Sequence, residues 1–210
     1  QSSLLFILSY IGSNTPTYRL DEARKYGRMA SNLVKAKYSS WQTDPSPSRL
    51  RVGIVSGDLR NHPVGYFLES MLPHIDQQRI ELFAYPTNIK RDALTARIKP
   101  HFSKWRELNS LDDATAAQSV RADGIHVLLD LAGHSKFSRL PMFACKPAPV
   151  QAMWLGYFAT TGVAEMDYVL GDRIVMPDSE AHHFVEKCWQ LNGAISCMMP
   201  PVEAAPVAAL

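Results

Sequence analysis

Arg51-Val52-Gly53-Ile54-Val55-Ser56-Gly57-Asp58-Leu59-Arg60-Asn61-His62-Pro63-Val64-Gly65 is the stretch on which the fold turns. Its first half is a short apolar run with β-branched residues, which predicts a buried strand. Its second half is polar, holds a proline, and leads into helical spacing over 65–75. Strand, polar turn and helix form the unit from which parallel sheets are wound. The alternation continues downstream with strands expected at 80–85, 105–108, 125–131, 150–155 and 168–170, and helices at 92–98, 112–121 and 180–191. Asp112 reads as an N-cap, and the run 125–131 is apolar enough for a central strand covered on both faces. The expected fold class is α/β, a Rossmann-like parallel sheet with helices on both faces.

Upstream of this unit, residues 4–10 and 20–38 carry helical spacing, with Asp21 and Glu22 favouring the start of the second helix. Pro45 and Pro47 then break the pattern. The organisation this implies is a helical arm over 1–44, a linker over 45–50, the Rossmann-like lobe over 51–192, and a Pro/Ala-rich connector over 193–210. A first residue other than Met and a tail with little to bury read as a piece of a longer chain.

Over 210 residues, 46% hydrophobic and 20% charged is an ordinary globular composition. A net charge of +2, with basic residues scattered, gives no footprint for nucleic acid. Cys145, Cys188 and Cys197 have no C-x-x-C spacing, which speaks against a disulfide framework or structural zinc and for a reducing, cytoplasmic setting. No apolar run reaches the ~18 residues a membrane helix needs. The glycines form no dinucleotide fingerprint or P-loop, and no G-x-S-x-G elbow is present.

Ligands of open α/β sheets bind beyond the carboxyl ends of the strands, and three polar clusters stand there. In the first, Asp58 and His62 follow strand one within a few residues. His62 is a side chain suited to moving a proton near neutral pH, and His62-Pro63 opens a helix whose free amides favour anions. The alternative is that Asp58 and Asn61 only cap the turn. The second cluster, Asp130-Leu131-Ala132-Gly133-His134-Ser135-Lys136, suits a polar ligand or simply a strand meeting solvent. The third, Trp154-Leu155-Gly156-Tyr157-Phe158-Ala159-Thr160-Thr161-Gly162, offers rings for a sugar or base to stack on, or for core packing. His74, His101 and His126 read as packing or surface residues. His182 and His183 are adjacent on an expected helix, where neighbours do not share a face, which argues against joint metal ligation.

Taken together, these strings resemble the O-GlcNAc transferase (SPINDLY-like) family, glycosyltransferase family 41. The resemblance rests on the 51–58 string with Asn61-His62-Pro63, Asp123-Gly124-Ile125-His126 with the 130–134 string, Pro147 through Tyr157, and Met166-Asp167-Tyr168, all in the same order. It implies the N-terminal lobe of a two-lobed GT-B enzyme, preceded by the end of a tetratricopeptide-type region. Such an enzyme transfers a sugar, GlcNAc by resemblance, from a nucleotide diphosphate sugar such as UDP-GlcNAc to Ser or Thr of proteins.

The resemblance assigns His62 and Asp58 to the active site and Leu155 and Gly156 to the sugar donor. Asn61, Pro63, Tyr157, Gly133 and His134 are expected to line the substrate site beside them. The expected reaction needs no cofactor or metal, and the charge and apolar pattern call for no nucleic acid and no membrane. Its partners are the nucleotide sugar, a protein acceptor, and a C-terminal catalytic lobe that binds most of the nucleotide, without which this fragment should not turn over. The sequence departs from the family where Phe158-Ala159 replaces Pro-Gly and Val64 replaces a Thr, and a His expected in the arm is not evident. Those departures keep an alternative in view, a non-catalytic scaffold module or pseudoenzyme lobe.

Overall fold

The computed structural model describes residues 2–199, so residues 200–210 of the expected connector lie outside the described residues. Among the described residues, seven strands form one all-parallel sheet: β1 (Leu50–Ser56), β2 (Ile80–Pro86), β3 (Lys104–Trp105), β4 (Val127–Asp130), β5 (Val150–Met153), β6 (Tyr168–Gly171) and β7 (Lys187–Gln190). Their order is β3-β2-β1-β4-β5-β6-β7. β1 enters from solvent at Leu50 and is buried by Gly53, so its apolar half lies deep and its carboxyl end delivers the polar turn to an edge. Val52 to Val55 pair with Val127 to Asp130 of β4, and Leu50 to Ser56 with Ile80 to Pro86 of β2.

Successive residues of a strand point to opposite faces, and the core divides accordingly. Val55, Tyr85, Leu128 and Met153 face one layer, made by α1 (Ser2–Leu8), α2 (Pro16–Leu33), α5 (Asp113–Ala122) and α6 (Leu140–Ala144). Ile54, Leu82 and Ala84 face the other, made by α3 (Pro63–Met71) and α4 (Ala93–Ile98). The two N-terminal helices belong to the first layer: Leu5, Leu8, Ala23, Tyr26 and Ala30 are buried in the same cluster as the strands. Gly27 lets α2 press directly on the loop at Gly162, whose carbonyl oxygen lies 1.7 Å from where a Cβ at 27 would be.

Several expected boundaries move. α2 begins at Pro16 because the Thr15 side chain caps it, accepting from Tyr18 N at 3.1 Å. It ends at Leu33, beyond which the chain is held by remote partners: Tyr38 N donates to Cys145 O, and Trp41 Nε1 to Lys146 O. α3 starts at Pro63, two residues before the expected helix, and a 3-10 turn, Leu72–His74, completes it. The expected strand at 105–108 is the two-residue β3.

The expected helix over 180–191 is absent. Asp178–His183 is a 3-10 turn, and Lys187–Gln190 is the edge strand β7, paired with β6. Tertiary pairing overrides the local helical pattern there, because Glu186 is drawn inward by hydrogen bonds and sets the following residues alongside Tyr168–Gly171. No described helix is long and apolar enough to cross a membrane, and no group of His, Cys, Asp and Glu among the described residues could hold a metal ion.

Candidate functional site

Chain order reverses between β1 and β4, which makes their carboxyl ends the topological switch point where open α/β sheets bind ligands. The first polar turn leaves β1 there. Buried Leu59 anchors it, and Ser56 Oγ accepts from Asp58 N at 3.0 Å. Gly65 must lack a side chain because a Cβ would meet the Arg60 carbonyl oxygen at 2.1 Å, so α3 packs tightly onto the turn.

Asp58 is buried; one oxygen accepts from Arg60 Nη2 at 3.0 Å, and the other lies 3.7 Å from His62 Nδ1. That separation is too long for a hydrogen bond. His62 is the N-cap of α3, its Nδ1 accepting from Val64 N at 3.3 Å, with Pro63 at the first helical position. A ring nitrogen that accepts carries no proton, so the neutral imidazole holds its proton on Nε2. Asn61 is exposed, and its backbone N–H donates to Asp92 Oδ2 at 2.7 Å.

The second turn, after β4, is built on Asp130, which is wholly buried and accepts from Ala132 N at 3.1 Å and Gly133 N at 2.8 Å. Burial pushes its carboxyl up to about 7 against those two bonds. Gly133 takes φ +52°, and the Tyr157 side chain fills the space a Cβ would need, at 2.4 Å. His134 faces inward: Nε2 donates to Thr161 O at 2.9 Å, Nδ1 accepts from Ser2 Oγ at 2.9 Å, and Tyr26 and Tyr157 meet its ring edge-on. Burial lowers it to about 4. Both ring nitrogens are committed within the fold, so His134 joins α1, the β4 turn and the 161 loop rather than opening toward a ligand.

At the end of β5, Trp154 N donates to Asp130 O at 2.9 Å, and Gly156 N returns to Trp154 O at 2.9 Å. That i to i+2 bond, with Leu155 at φ +75°, is the rare and strained form of γ-turn. Strain of this kind persists only when its surroundings enforce it, and it concentrates at functional sites. Gly156 is obligatory, since a Cβ would stand 1.8 Å from Leu131 O; the same position is 3.4 Å from Val64 Cγ2. The turn therefore lies against the first turn of the helix that His62 caps.

Trp154 and Tyr157 are buried, Trp154 donating from Nε1 to Ile195 O at 3.1 Å, so their rings serve packing. Beyond them, Phe158 is exposed and lies edge-on to Tyr10. Thr160 Oγ1 and Thr161 N donate to buried Glu186 at 2.6 and 2.8 Å, and Thr161 Oγ1 donates to it as well. Burial pushes the Glu186 carboxyl up.

The structure thus brings Asp58, Asn61, His62, Pro63, Gly133, Leu155 and Gly156 to one edge, while the rings of His134 and Tyr157 turn into the core. Of the histidines read as bystanders, His126 takes the Arg51 N–H at 3.1 Å near the opposite edge. His183 bonds Glu180 at 2.6 Å within the 3-10 turn. Asp92 and Glu186 escaped the sequence reading. Asp92 has a local signal as a helix cap, but nothing in the sequence links either residue to these turns.

The model of the family described as Glycosyl transferase family 41 matches residues 25–195. A tomato (Solanum lycopersicum) protein named probable UDP-N-acetylglucosamine--peptide N-acetylglucosaminyltransferase SPINDLY is 33% identical over 97% of this chain, which spans 22% of that protein's length. The Caenorhabditis elegans UDP-N-acetylglucosamine--peptide N-acetylglucosaminyltransferase is 37% identical over 66% of this chain and 12% of its own. A solved O-GlcNAc transferase from Thermobaculum terrenum superposes with a TM-score of 0.89 at 37% identity, covering 96% of this chain and 39% of that one.

Proposed function

Because this chain belongs to glycosyl transferase family 41, we propose that its switch-point edge is one wall of a cleft that transfers GlcNAc from UDP-GlcNAc to Ser or Thr hydroxyls of proteins. The observation that carries the reading is the contact between two turns: the strained Leu155-Gly156 turn lies against Val64, in the first turn of the helix that His62 caps. A donor-binding turn and a proton-handling group have to meet in one place for a displacement to occur.

The acceptor oxygen attacks the anomeric carbon as the bond to the nucleotide diphosphate breaks. His62 or Asp58 orients the acceptor or takes its proton. Charge on the departing diphosphate is met by helix amides and by basic groups of the companion lobe, to which the resemblance assigns the nucleotide, so the reaction calls on no cofactor. The chain spans 22% of the tomato relative's length, so the transfer is proposed for the whole protein. The terminal helices continue a tetratricopeptide-type arm in this reading, and three free cysteines suit the cytoplasm.

The γ-turn at Leu155 and the bonds from Thr160 and Thr161 to Glu186 hold the 155–162 segment in a defined shape although Phe158-Ala159 stands where the resemblance has Pro-Gly, which supports an enzyme over a scaffold. The test is His62→Ala in the full-length protein, assayed for transfer from UDP-GlcNAc and, as a donor control, GDP-fucose. At least a tenfold loss is expected. An unchanged rate removes His62 from the chemistry.

A further inference from the structure

The turn that presents His62 is held from outside. Of the two oxygens of Asp92, Oδ1 caps α4 by accepting from Thr95 N at 3.1 Å, while Oδ2 leaves the helix and accepts from Asn61 N at 2.7 Å. Thr95 divides its hydroxyl in the same way. Its oxygen accepts from Asp92 N at 3.2 Å, and its one proton goes to Leu59 O at 2.8 Å rather than to Asp92 Oδ1 at 3.3 Å.

A capping box normally satisfies only its own helix end. Here both members export a bond, and the two bonds grip the backbone on either side of Arg60. Thr95 is buried, and Leu94 Cδ2 lies 3.1 Å from where a Cβ at Gly65 would be, so α4 is packed against α3 as well. Burial pushes the Asp92 carboxyl up, yet the N–H groups of Asn61 and Thr95 bring it below its ordinary value, as they would for a carboxylate held charged on the turn.

We propose that Asp92 and Thr95 are positioning residues for His62, a clamp from the β2–α4 connection that fixes the backbone of residues 59–61 and through it the imidazole. Neither touches the reacting groups; they act by narrowing where the ring can stand. The proposal rests on the reading in which His62 takes part in transfer. Small displacements of a positioned group cost rate rather than binding, so the clamp should appear in kcat.

The experiment is a double-mutant cycle in the full-length protein with UDP-GlcNAc as donor. Asp92→Ala is expected to lower kcat about tenfold with donor KM within about twofold, and Thr95→Val to lower it in the same direction. In the His62→Ala background, Asp92→Ala should change kcat less than about twofold, because the group it positions is gone. Asp112→Ala, which removes the comparable cap of α5 from Thr115 N, is the control for lost capping and should leave kcat unchanged. Asp92→Asn keeps oxygen Oδ1 for the helix and tests the exported bond if Asp92→Ala fails to fold.

Where His62→Ala lowers transfer, an equal tenfold loss from Asp92→Ala with and without His62, or an unchanged kcat in a folded Asp92→Ala protein, overturns the proposal. Amide exchange keeps the two readings apart. Faster exchange at Asn61 in Asp92→Ala supports the clamp even if His62→Ala leaves transfer intact and the catalytic reading falls. Unchanged exchange there overturns the clamp.

Discussion

Replacing Gly27 with Ala sets two effects of opposite sign against each other. Gly27 lies in the interior of α2, where Ala is favoured by about 1 kcal/mol through helix propensity and chain entropy. Against this, the new Cβ would stand 1.7 Å from the carbonyl oxygen of Gly162 and 2.6 Å from its carbon. Gly162 cannot yield, because it sits at φ +74° with the Ala23 carbonyl oxygen 2.0 Å from its own Cβ position. α2 has to lift by roughly 1.5 Å to restore ordinary contact, which unseats its buried face at Ala23, Tyr26 and Ala30. Overpacking costs ~1–3 kcal/mol, and an immovable backbone neighbour places this site at the upper end, so a net loss of about 2 kcal/mol is expected. Urea unfolding measures it, with Gly12→Ala as the control, since a Cβ there meets nothing within 4 Å. A Gly27→Ala protein more stable than its parent by the propensity gain would refute the backbone-on-backbone contact.

Stability should respond to pH through two buried groups that oppose each other. Asp130, raised from 3.8 to about 7, takes up a proton on folding and adds stability as pH falls through that window; His134, lowered from 6.5 to about 4, gives one up and removes stability as pH falls between those values. Asp130→Asn should therefore expose the His134 effect, a decline in urea midpoint from pH 6.5 toward 4 steeper than in the parent; a flatter profile would contradict the assignment. Glu186→Ala strands the hydroxyls of Thr160 and Thr161 and the Thr161 N–H, and should cost about 3 kcal/mol in thermal unfolding. Glu186→Gln, uncharged and of the same shape, should stay within about 1 kcal/mol of the parent; equal losses in the two would mean that the charge itself is required.

The sheet was legible where strands are short apolar runs bounded by turns, as at 51–57 and 80–85, and helix starts where a cap stands alone, as at Asp112. It failed where a remote partner decides. Residues 187–190 are a strand because β6 offers them an edge, and the carboxylate of Glu186 is buried by two threonines on another loop. That the three polar turns would meet at one edge was legible, since βα alternation implies parallel strands whose carboxyl ends share an edge. Side-chain direction was not. His134 and Tyr157 belong to strings that meet at this edge but face the core, and the positive φ of Leu155 has no signature in its own identity.

β1 is the first strand of the sheet to be made and ends with a neighbour on each side. While the chain is being synthesised, one edge of β1 pairs with Ile80 to Pro86 soon after it emerges. The other waits for Val127 to Asp130, roughly 40 residues later, a delay of a few seconds at ~5–20 residues per second. For that interval an apolar strand carrying Ile54 and Val55 has an open hydrogen-bonding edge in a crowded cell, and β4 closes it after α5, the last helix before it, has been made. Substitutions that weaken α5 would then lower the yield of folded protein in cells well beyond their effect on the finished molecule.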